Sequence, residues 1–170
     1  MTEAKLTGLF EKSSACFTSK RGEYITPRRF FKELDDEFHF VLDPCTTVDN
    51  PLGLRYIYTE KDDGLSKSWN YDGGSVYINP PYHSRNIVKW VEKAISENKK
   101  YGMTIVMLLP ARTDVRWFHD YLYNNPKVEV RFIKGRLSFG LPDNSSIAPA
   151  PFPSMIVIIR RWDDHDVHLL

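Results

Sequence analysis

Hydrophobic residues along the chain follow two spacings, one typical of amphipathic helices and one typical of buried strands. The helical spacing predicts helices over residues 26–38 and 84–99, the first with Thr26 as its cap and Pro27 at its first position. A third, shorter helix is predicted with Asp114 as its cap. Apolar runs of strand length occupy residues 40–42, 55–59, 76–78, 103–109, 128–133, 137–139 and 155–159.

The order of these elements predicts the fold class. Strands and helices alternate until the last three strands, which follow one another directly. This order is typical of an α/β fold with a mostly parallel, doubly wound sheet, here with an antiparallel edge. We expect a single domain over residues 24–162, between an N-terminal arm (1–23) and a C-terminal tail (163–170). Residues 141–153 contain four prolines and predict a long functional loop.

The composition is that of an ordinary globular protein, with 42% hydrophobic and 26% charged residues. The net charge of +1 neither indicates nor excludes nucleic-acid binding. No apolar segment is long enough for a signal peptide or a membrane span, so no membrane partner is expected. Cys16 and Cys45 predict no disulfide framework and fit a reducing cytoplasm. The five histidines lack metal-ligand spacing with either cysteine, so no metal site is predicted.

The tetrapeptide Asn79-Pro80-Pro81-Tyr82 directly follows the predicted strand at residues 76–78. Its prolines prevent extension of the strand and hold it at the strand's carboxyl end, where open α/β sheets bind their ligands. The Asn79 side-chain oxygen and the Pro80 carbonyl are two acceptors that could hold both hydrogens of an exocyclic amino group. The Tyr82 ring offers a flat face for a planar base. The alternative is a proline-rich turn with a packed tyrosine.

Acidic residues follow the two preceding strands, Asp43 after the first and Glu60 after the second. Their separation is close to that expected between neighbouring strand ends, and an acid at the second position commonly accepts hydrogen bonds from ribose hydroxyls. Residues 43–47 contain no glycine that would let backbone approach a pyrophosphate. A nucleotide-dependent oxidoreductase is therefore disfavoured, and S-adenosylmethionine is the predicted cofactor. Taken alone, Asp43 also fits a turn-forming Asp-Pro pair, and Glu60 a solvated loop acid.

The chain also resembles the phage-type DNA adenine-N6 methyltransferases over most of its length. The matching segments, in chain order, are Tyr24-Ile25-Thr26-Pro27, Leu42-Asp43-Pro44-Cys45, Asp63-Gly64-Leu65 with Trp69, Asn79-Pro80-Pro81-Tyr82, Leu109-Pro110-Ala111-Arg112-Thr113-Asp114 with Trp117-Phe118-His119, Gly135-Arg136-Leu137-Ser138-Phe139 and Ala150-Pro151-Phe152-Pro153-Ser154. The Asn-Pro-Pro-Tyr element is shared with RNA and protein-glutamine methyltransferases, whereas the ordered set is more specific. The resemblance implies a Rossmann-like class I methyltransferase fold. It also implies methyl transfer from S-adenosylmethionine to N6 of a flipped adenine in double-stranded DNA.

The resemblance further implies roles for individual residues. Those on the cofactor side are Thr26, Pro27, Asp43, Pro44, Cys45, Glu60, Asp63 and Leu65. Those at the target base are Asn79, Pro80, Pro81 and Tyr82, the predicted catalytic segment. The Cys45 thiol itself is expected to be a small packing group, because no histidine or aspartate is placed to activate it.

Arg112, Arg136 and His83 are candidate DNA contacts. The alternatives are a structural ion pair for each arginine and a solvent-facing position at the start of a helix for His83. A cytosine-N4 DNA methyltransferase, and a non-catalytic protein of the same fold that binds DNA or cofactor, stay open as alternative functions. A phage-encoded enzyme of this kind would act in the host cytoplasm. Since 170 residues leave no room for a recognition domain, sequence preference is expected either to come from loops, chiefly residues 141–153 together with the N-terminal arm, or to be weak.

Overall fold

The computed structural model describes residues 24–82, 84–140 and 148–161. Its helices are α1 (Arg28–Phe38) and α2 (Ser84–Tyr101), and a π-helical turn lies at Phe118–Leu122. Its strands are β1 (Phe40–Asp43), β2 (Tyr56–Ile57), β3 (Ser75–Ile78), β4 (Ile105–Pro110), β5 (Val128–Phe132), β6 (Ser138–Phe139), β7 (Ala148–Pro149) and β8 (Ser154–Ile159). The predicted arm and tail, residues 141–147 of the predicted loop, and His83 lie outside the described residues.

Six strands form one mixed sheet in the order β2-β1-β3-β4-β8-β5, and β6 pairs with β7 in a separate two-stranded sheet. The first four strands of the large sheet are parallel, which confirms the prediction of a mostly parallel α/β sheet. The antiparallel strand is β8, which lies between β4 and β5 rather than at the edge. All six residues of β8 are buried, as expected for a strand with a neighbour on each side. The antiparallel pairings therefore lie at one end of the sheet and include its edge strand β5, as the sequence predicts.

The two helices cover opposite faces of the large sheet, as a doubly wound arrangement requires. Alternate residues of β4 belong to different hydrophobic clusters, Ile105 and Met107 to one and Val106 and Leu108 to the other. The first cluster includes four residues of α2, namely Ile87, Trp90, Val91 and Ala94. The second includes three residues of α1, namely Phe31, Leu34 and Phe38. None of the helices in the described ranges is long and apolar enough to cross a membrane.

Both predicted helix caps are wrong. Pro27 occupies the capping position of α1 and makes no side-chain capping hydrogen bond, while the Thr26 hydroxyl points inward to Tyr77. The short helix predicted after Asp114 begins at Arg116 and continues as the π-helical turn, so Asp114 lies two residues before its first residue. Pro126 follows four residues after this turn and cannot continue a helix, which accounts for the short segment.

The second predicted strand is also shorter than expected. The sequence predicts it over residues 55–59, but the paired residues are only Tyr56 and Ile57. Beyond them the chain turns, because Asp62 accepts hydrogen bonds from both the amide and the hydroxyl of Thr59 at 2.8 and 2.7 Å. This side-chain acceptor replaces the strand partner and starts the turn that carries Glu60.

Candidate active site

The carboxyl ends of β1 and β3 lie side by side at one edge of the large sheet. Asp43 is the last residue of β1, and Asn79 directly follows β3, which pairs with β1 in parallel. On the other side of β1, the amide of Tyr58 donates to the Asp43 carbonyl at 2.9 Å, and the Thr46 amide donates to the Tyr58 carbonyl at 3.0 Å. The sheet order therefore brings three of the predicted strand ends to the same edge, with Glu60 two residues beyond Tyr58.

The Asn79 side chain is held in one orientation by two acceptors. Its Nδ2 donates to the carbonyl of Tyr24 and, at 3.1 Å, to Oγ1 of Thr26. A backbone carbonyl can only accept, so the amide nitrogen must face Tyr24 and Oδ1 must face the other way. Oδ1 is buried and has no hydrogen-bond partner among the described residues. A buried acceptor left unpaired costs about 1–3 kcal/mol, and a ligand that donates a hydrogen bond to Oδ1 would remove this cost.

Thr26, which accepts from Asn79, is itself held by a contact with Tyr77. The Thr26 side chain is buried, and its Oγ1 lies 2.8 Å from the Tyr77 hydroxyl. Tyr77 is fully buried in the middle of β3, and burial raises its pKa far above the ordinary value for tyrosine. The phenol is therefore neutral and available for hydrogen bonding at every pH at which the protein is handled. Thr26 thus links the core of the sheet to the Asn79 amide.

Aromatic side chains surround the second half of the tetrapeptide. The Tyr82 ring is nearly parallel to that of Tyr24, with 5.6 Å between centroids and 24° between planes. It meets Phe152 edge-on at 5.3 Å and Phe139 edge-on at 6.2 Å. The Tyr82 hydroxyl is buried without a partner among the described residues, and burial raises its pKa well above the usual value. Tyr82 therefore presents a neutral aromatic surface beside Asn79.

Asp43 is a buried carboxyl group at the end of β1. Burial raises its pKa to about 7, although hydrogen bonds from the Cys45 amide, at 3.0 Å, and from the Thr46 side chain act in the opposite direction. No basic side chain of the described residues contributes to this pKa. A cation or hydrogen-bond donor on a ligand would supply the missing compensation.

The segment Asp63–Leu65 lies against the turn that follows β1. A Cβ atom added to Gly64 would stand 2.0 Å from the Pro44 carbonyl oxygen, so the two backbones are in direct contact. Trp69 fixes the segment from the other side, because its Nε1 donates to the Gly64 carbonyl at 2.8 Å and its amide donates to Glu97 at 2.8 Å. The structure thus brings together two predicted cofactor segments, 43–45 and 63–65, and Leu65 and Cys45 pack against the same hydrophobic cluster.

The other predicted site residues lie in the segments that follow β2, β4 and β5. Glu60 is exposed in the turn after β2, Arg112 is half-buried two residues after β4, and Arg136 is exposed between β5 and β6. Their contacts with cofactor or DNA stay predictions. Across residues 24–82, 84–140 and 148–161, no group of three or more histidine, cysteine and acidic side chains is placed to hold a metal ion.

Sequence reasoning missed two functional supports. Tyr24 belongs to a segment that matches the family, but its carbonyl and ring had no assigned role. Tyr77 was recognised only as part of a buried strand. The hydroxyl of a tyrosine inside such a strand needs a partner when buried, and that requirement is the signal that could have indicated the Thr26 contact.

Buried polar groups and aromatic rings thus meet at the carboxyl edge of a mostly parallel α/β sheet, which is where open sheets of this kind bind their ligands. The chain matches the family described as DNA N-6-adenine-methyltransferase (Dam) over residues 13–169. The chain belongs to this family.

Two curated phage proteins are similar to the chain. One is the DNA N-6-adenine-methyltransferase of Haemophilus phage HP1 (strain HP1c1), which is 30% identical over 123 residues, covering 71% of this chain and 68% of the phage protein. The other is the DNA N-6-adenine-methyltransferase of Escherichia phage T1, which is 28% identical over 125 residues, covering 73% of this chain and 50% of that protein. The chain therefore aligns with about half the length of the second relative.

The buried carboxyl group predicts a specific pH dependence of stability. Because the pKa of Asp43 is about 7 in the folded protein and 3.8 ordinarily, the folded state binds more protons between these values. The free energy of unfolding should therefore fall, by a few kcal/mol, as the pH rises from about 4 to about 7. Urea unfolding of the ligand-free protein at several pH values should show this fall in the parent and its loss in Asp43→Asn. Asp49→Asn changes an exposed acid in the loop after β1 and should keep the parent profile. An unchanged profile in Asp43→Asn would contradict the assignment.

Proposed function

We propose that this protein transfers a methyl group from S-adenosylmethionine to the exocyclic N6 of adenine in double-stranded DNA. The observation that carries the proposal is the Oδ1 atom of Asn79, which is buried, oriented and without a partner among the described residues. Membership of the DNA N-6-adenine-methyltransferase family supports the choice of adenine and of DNA. The target adenine must leave the base stack, because its N6 cannot otherwise reach an enclosed site.

The chemistry follows from the acceptors beside β3. The Asn79 Oδ1 and the Pro80 carbonyl accept hydrogen bonds from the two N6 hydrogens, which directs the nitrogen lone pair away from them. These hydrogen bonds strengthen as N6 becomes tetrahedral and its hydrogens become more acidic, so they stabilise the transition state more than the bound substrate. Tyr82 holds the plane of the base by stacking. The protein therefore needs no nucleophile of its own, which agrees with Cys45 as a packing residue.

The residues at the sheet edge fit S-adenosylmethionine as the methyl donor. The cofactor supplies a sulfonium-bound, electrophilic methyl group together with an ammonium group and ribose hydroxyls. The buried Asp43 carboxyl lacks a basic neighbour among the described residues and would be compensated by a cationic or hydroxyl-bearing ligand. Glu60, on the turn after the adjacent strand, would accept hydrogen bonds from the ribose hydroxyls. The segments 43–45 and 63–65, in contact through Gly64, would form the cofactor-side wall together with Thr26 and Pro27.

The mostly parallel sheet supports a finer proposal, that this is a Rossmann-like class I methyltransferase fold. The predicted cofactor and base residues lie on neighbouring strands at the carboxyl edge, which is where such folds bind ligands. Arg112 follows β4 and Arg136 follows β5, so both belong to the same edge and could contact phosphates of the DNA backbone. His83, next to Tyr82 in the sequence, is a further candidate for such a contact.

The direct test is incubation with S-adenosylmethionine carrying a tritiated methyl group and with unmethylated double-stranded DNA, followed by nucleoside analysis. Label in N6-methyladenine is expected. Label in N4-methylcytosine would instead assign the cytosine-specific reaction, which uses the same amino-group geometry. Cofactor and DNA binding without label in either nucleoside would identify a non-catalytic binding protein and overturn the proposal.

The cofactor assignment makes its own prediction. Glu60→Ala should weaken S-adenosylmethionine binding by about 1–3 kcal/mol, because a hydrogen-bonded carboxylate is removed from the ribose. Isothermal calorimetry measures this change directly. Glu33→Ala removes an exposed acid on α1 and should leave the affinity at the parent value. Equal affinities for the parent and the folded Glu60 variant would place the ribose elsewhere.

A further inference from the structure

Tyr24 and Tyr82 present parallel rings to one another across the candidate site. Their planes differ by 24° and their centroids are 5.6 Å apart. Both rings meet Phe152 edge-on, Tyr24 at 88° and Tyr82 at 80°, so Phe152 lies along one side of the pair. Phe139 contacts both tyrosines as well, which limits the directions in which either ring can tilt.

The backbone of Tyr24 is held in place although the residue lies outside the helices and strands. The next residue, Ile25, exchanges two backbone hydrogen bonds with Gly140, at 2.9 and 3.0 Å. The Tyr24 carbonyl accepts the hydrogen bond that orients Asn79. The ring can therefore rotate about its own side-chain bonds without releasing the amide of Asn79.

The two rings are too close together to admit a base in the positions they occupy. A base stacked on both sides needs about 7 Å between the flanking planes, twice the roughly 3.4 Å rise between stacked bases. The centroids are 5.6 Å apart, so the planes must move apart before a base can enter. Rotation of the Tyr24 side chain, which is partly exposed, would supply this movement.

We propose that Tyr24 forms the second wall of the base pocket and stacks on the face of the flipped adenine opposite Tyr82. The inference rests on the proposed adenine methylation and adds a base-binding residue to it. Because the Tyr24 carbonyl is bonded to Asn79 Nδ2, a base between the two rings lies beside the amide that accepts from its amino group. In the ligand-free protein the two rings partly close on one another and cover the apolar faces that the base would occupy.

The test compares DNA affinity with and without a target base. The methylated sites of the parent are mapped first, and then a duplex containing the target adenine and an otherwise identical duplex with an abasic target are prepared. Tyr24→Leu and Tyr24→Met keep apolar contact with Phe139 and Phe152 but lack an aromatic face, whereas Tyr24→Phe keeps it. Tyr123→Leu serves as the matched control, since Tyr123 is an exposed tyrosine that precedes β5 near the opposite edge of the sheet.

Tyr24→Leu and Tyr24→Met should each lose about 10-fold in affinity for the adenine duplex and less than about 2-fold for the abasic duplex. Tyr24→Phe and Tyr123→Leu should match the parent on both. Equal losses on the two duplexes, or no loss on either, would overturn the proposal. Thermal unfolding and cofactor calorimetry identify any variant that does not fold. If one of the two non-aromatic variants fails to fold, the DNA affinities of the other decide whether Tyr24 stacks on the base. Absence of label from the parent in the tritium assay would refute the methylation itself. If the parent methylates DNA and Tyr24→Leu binds both duplexes with the affinity of the parent, only the role of Tyr24 would be refuted.

Discussion

Asn79→Ala is expected to lower the turnover number for DNA methylation about 100- to 1,000-fold. The substitution removes the oriented Oδ1 acceptor, and the lost hydrogen bond is worth most when N6 becomes tetrahedral. Binding of S-adenosylmethionine should change little, because the amide faces the base pocket. Single-turnover rates with tritiated cofactor, measured at saturating DNA, give the effect on the chemical step.

The same substitution should have only a small effect on folding. The Nδ2 hydrogen bonds to Tyr24 and Thr26 are lost, but so is the cost of the unpaired Oδ1, and the two changes oppose one another. We expect a change within about 1 kcal/mol in the free energy of unfolding. Asn70→Ala, at an exposed asparagine, is the matched control and should retain full turnover. A folded Asn79→Ala protein that methylates at the parent rate would show that the tetrapeptide is only a turn.

Gly64→Ala is expected to destabilise the protein by about 3 kcal/mol and to weaken cofactor binding more than 10-fold. The added Cβ would lie 2.0 Å from the Pro44 carbonyl oxygen, and that atom belongs to the backbone, which cannot rotate away as a flexible side chain would. Overpacking at such a site costs about 1–3 kcal/mol or more. The segments 43–45 and 63–65 must then separate, which would displace Asp43 from the cofactor.

Gly53→Ala is the control that separates the effect of a steric collision, expected in Gly64→Ala, from the effect of backbone strain. Gly53 has a positive φ of 74°, but its Cβ would meet nothing within 4 Å. It should cost only about 1–2 kcal/mol, the usual penalty of a left-handed alanine, and leave cofactor affinity unchanged. Urea unfolding and calorimetry on the two variants provide the comparison. A Gly64→Ala protein as stable as the parent would mean that the two segments are not in contact in solution.

The part of the site that could be predicted from the sequence depends on local signals. Two prolines after an apolar run mark the end of a strand wherever that strand lies, so Asn79 and Tyr82 were correctly positioned after β3. Asp43 follows the same logic at the end of β1. Local sequence does not contain the pairing order, because the position of β8 between β4 and β5 depends on contacts with residues far along the chain.

Thr26 shows how a long-range hydrogen-bonding requirement can outweigh a local helix-capping signal. A threonine before a proline is a good local capping signal, and the sequence therefore predicts a cap. In the structure, the buried hydroxyl of Tyr77 and the amide of Asn79 both need a hydrogen-bond partner, and Thr26 supplies it. Satisfying buried polar groups outweighs a cap at the end of an exposed helix turn, and the residues that create this demand are more than fifty positions away.

The contacts that orient Asn79 join parts of the chain that are remote in sequence. Residues 24 and 26 reach position 79, and residue 25 pairs with residue 140. Closing such loops carries a large entropic cost, so contacts of this kind form late during folding. An intermediate that contains only the central parallel strands would possess secondary structure but no oriented acceptor. During refolding, recovery of methylation should therefore follow recovery of the far-ultraviolet circular dichroism signal, and enzymatic activity would report the completion of folding.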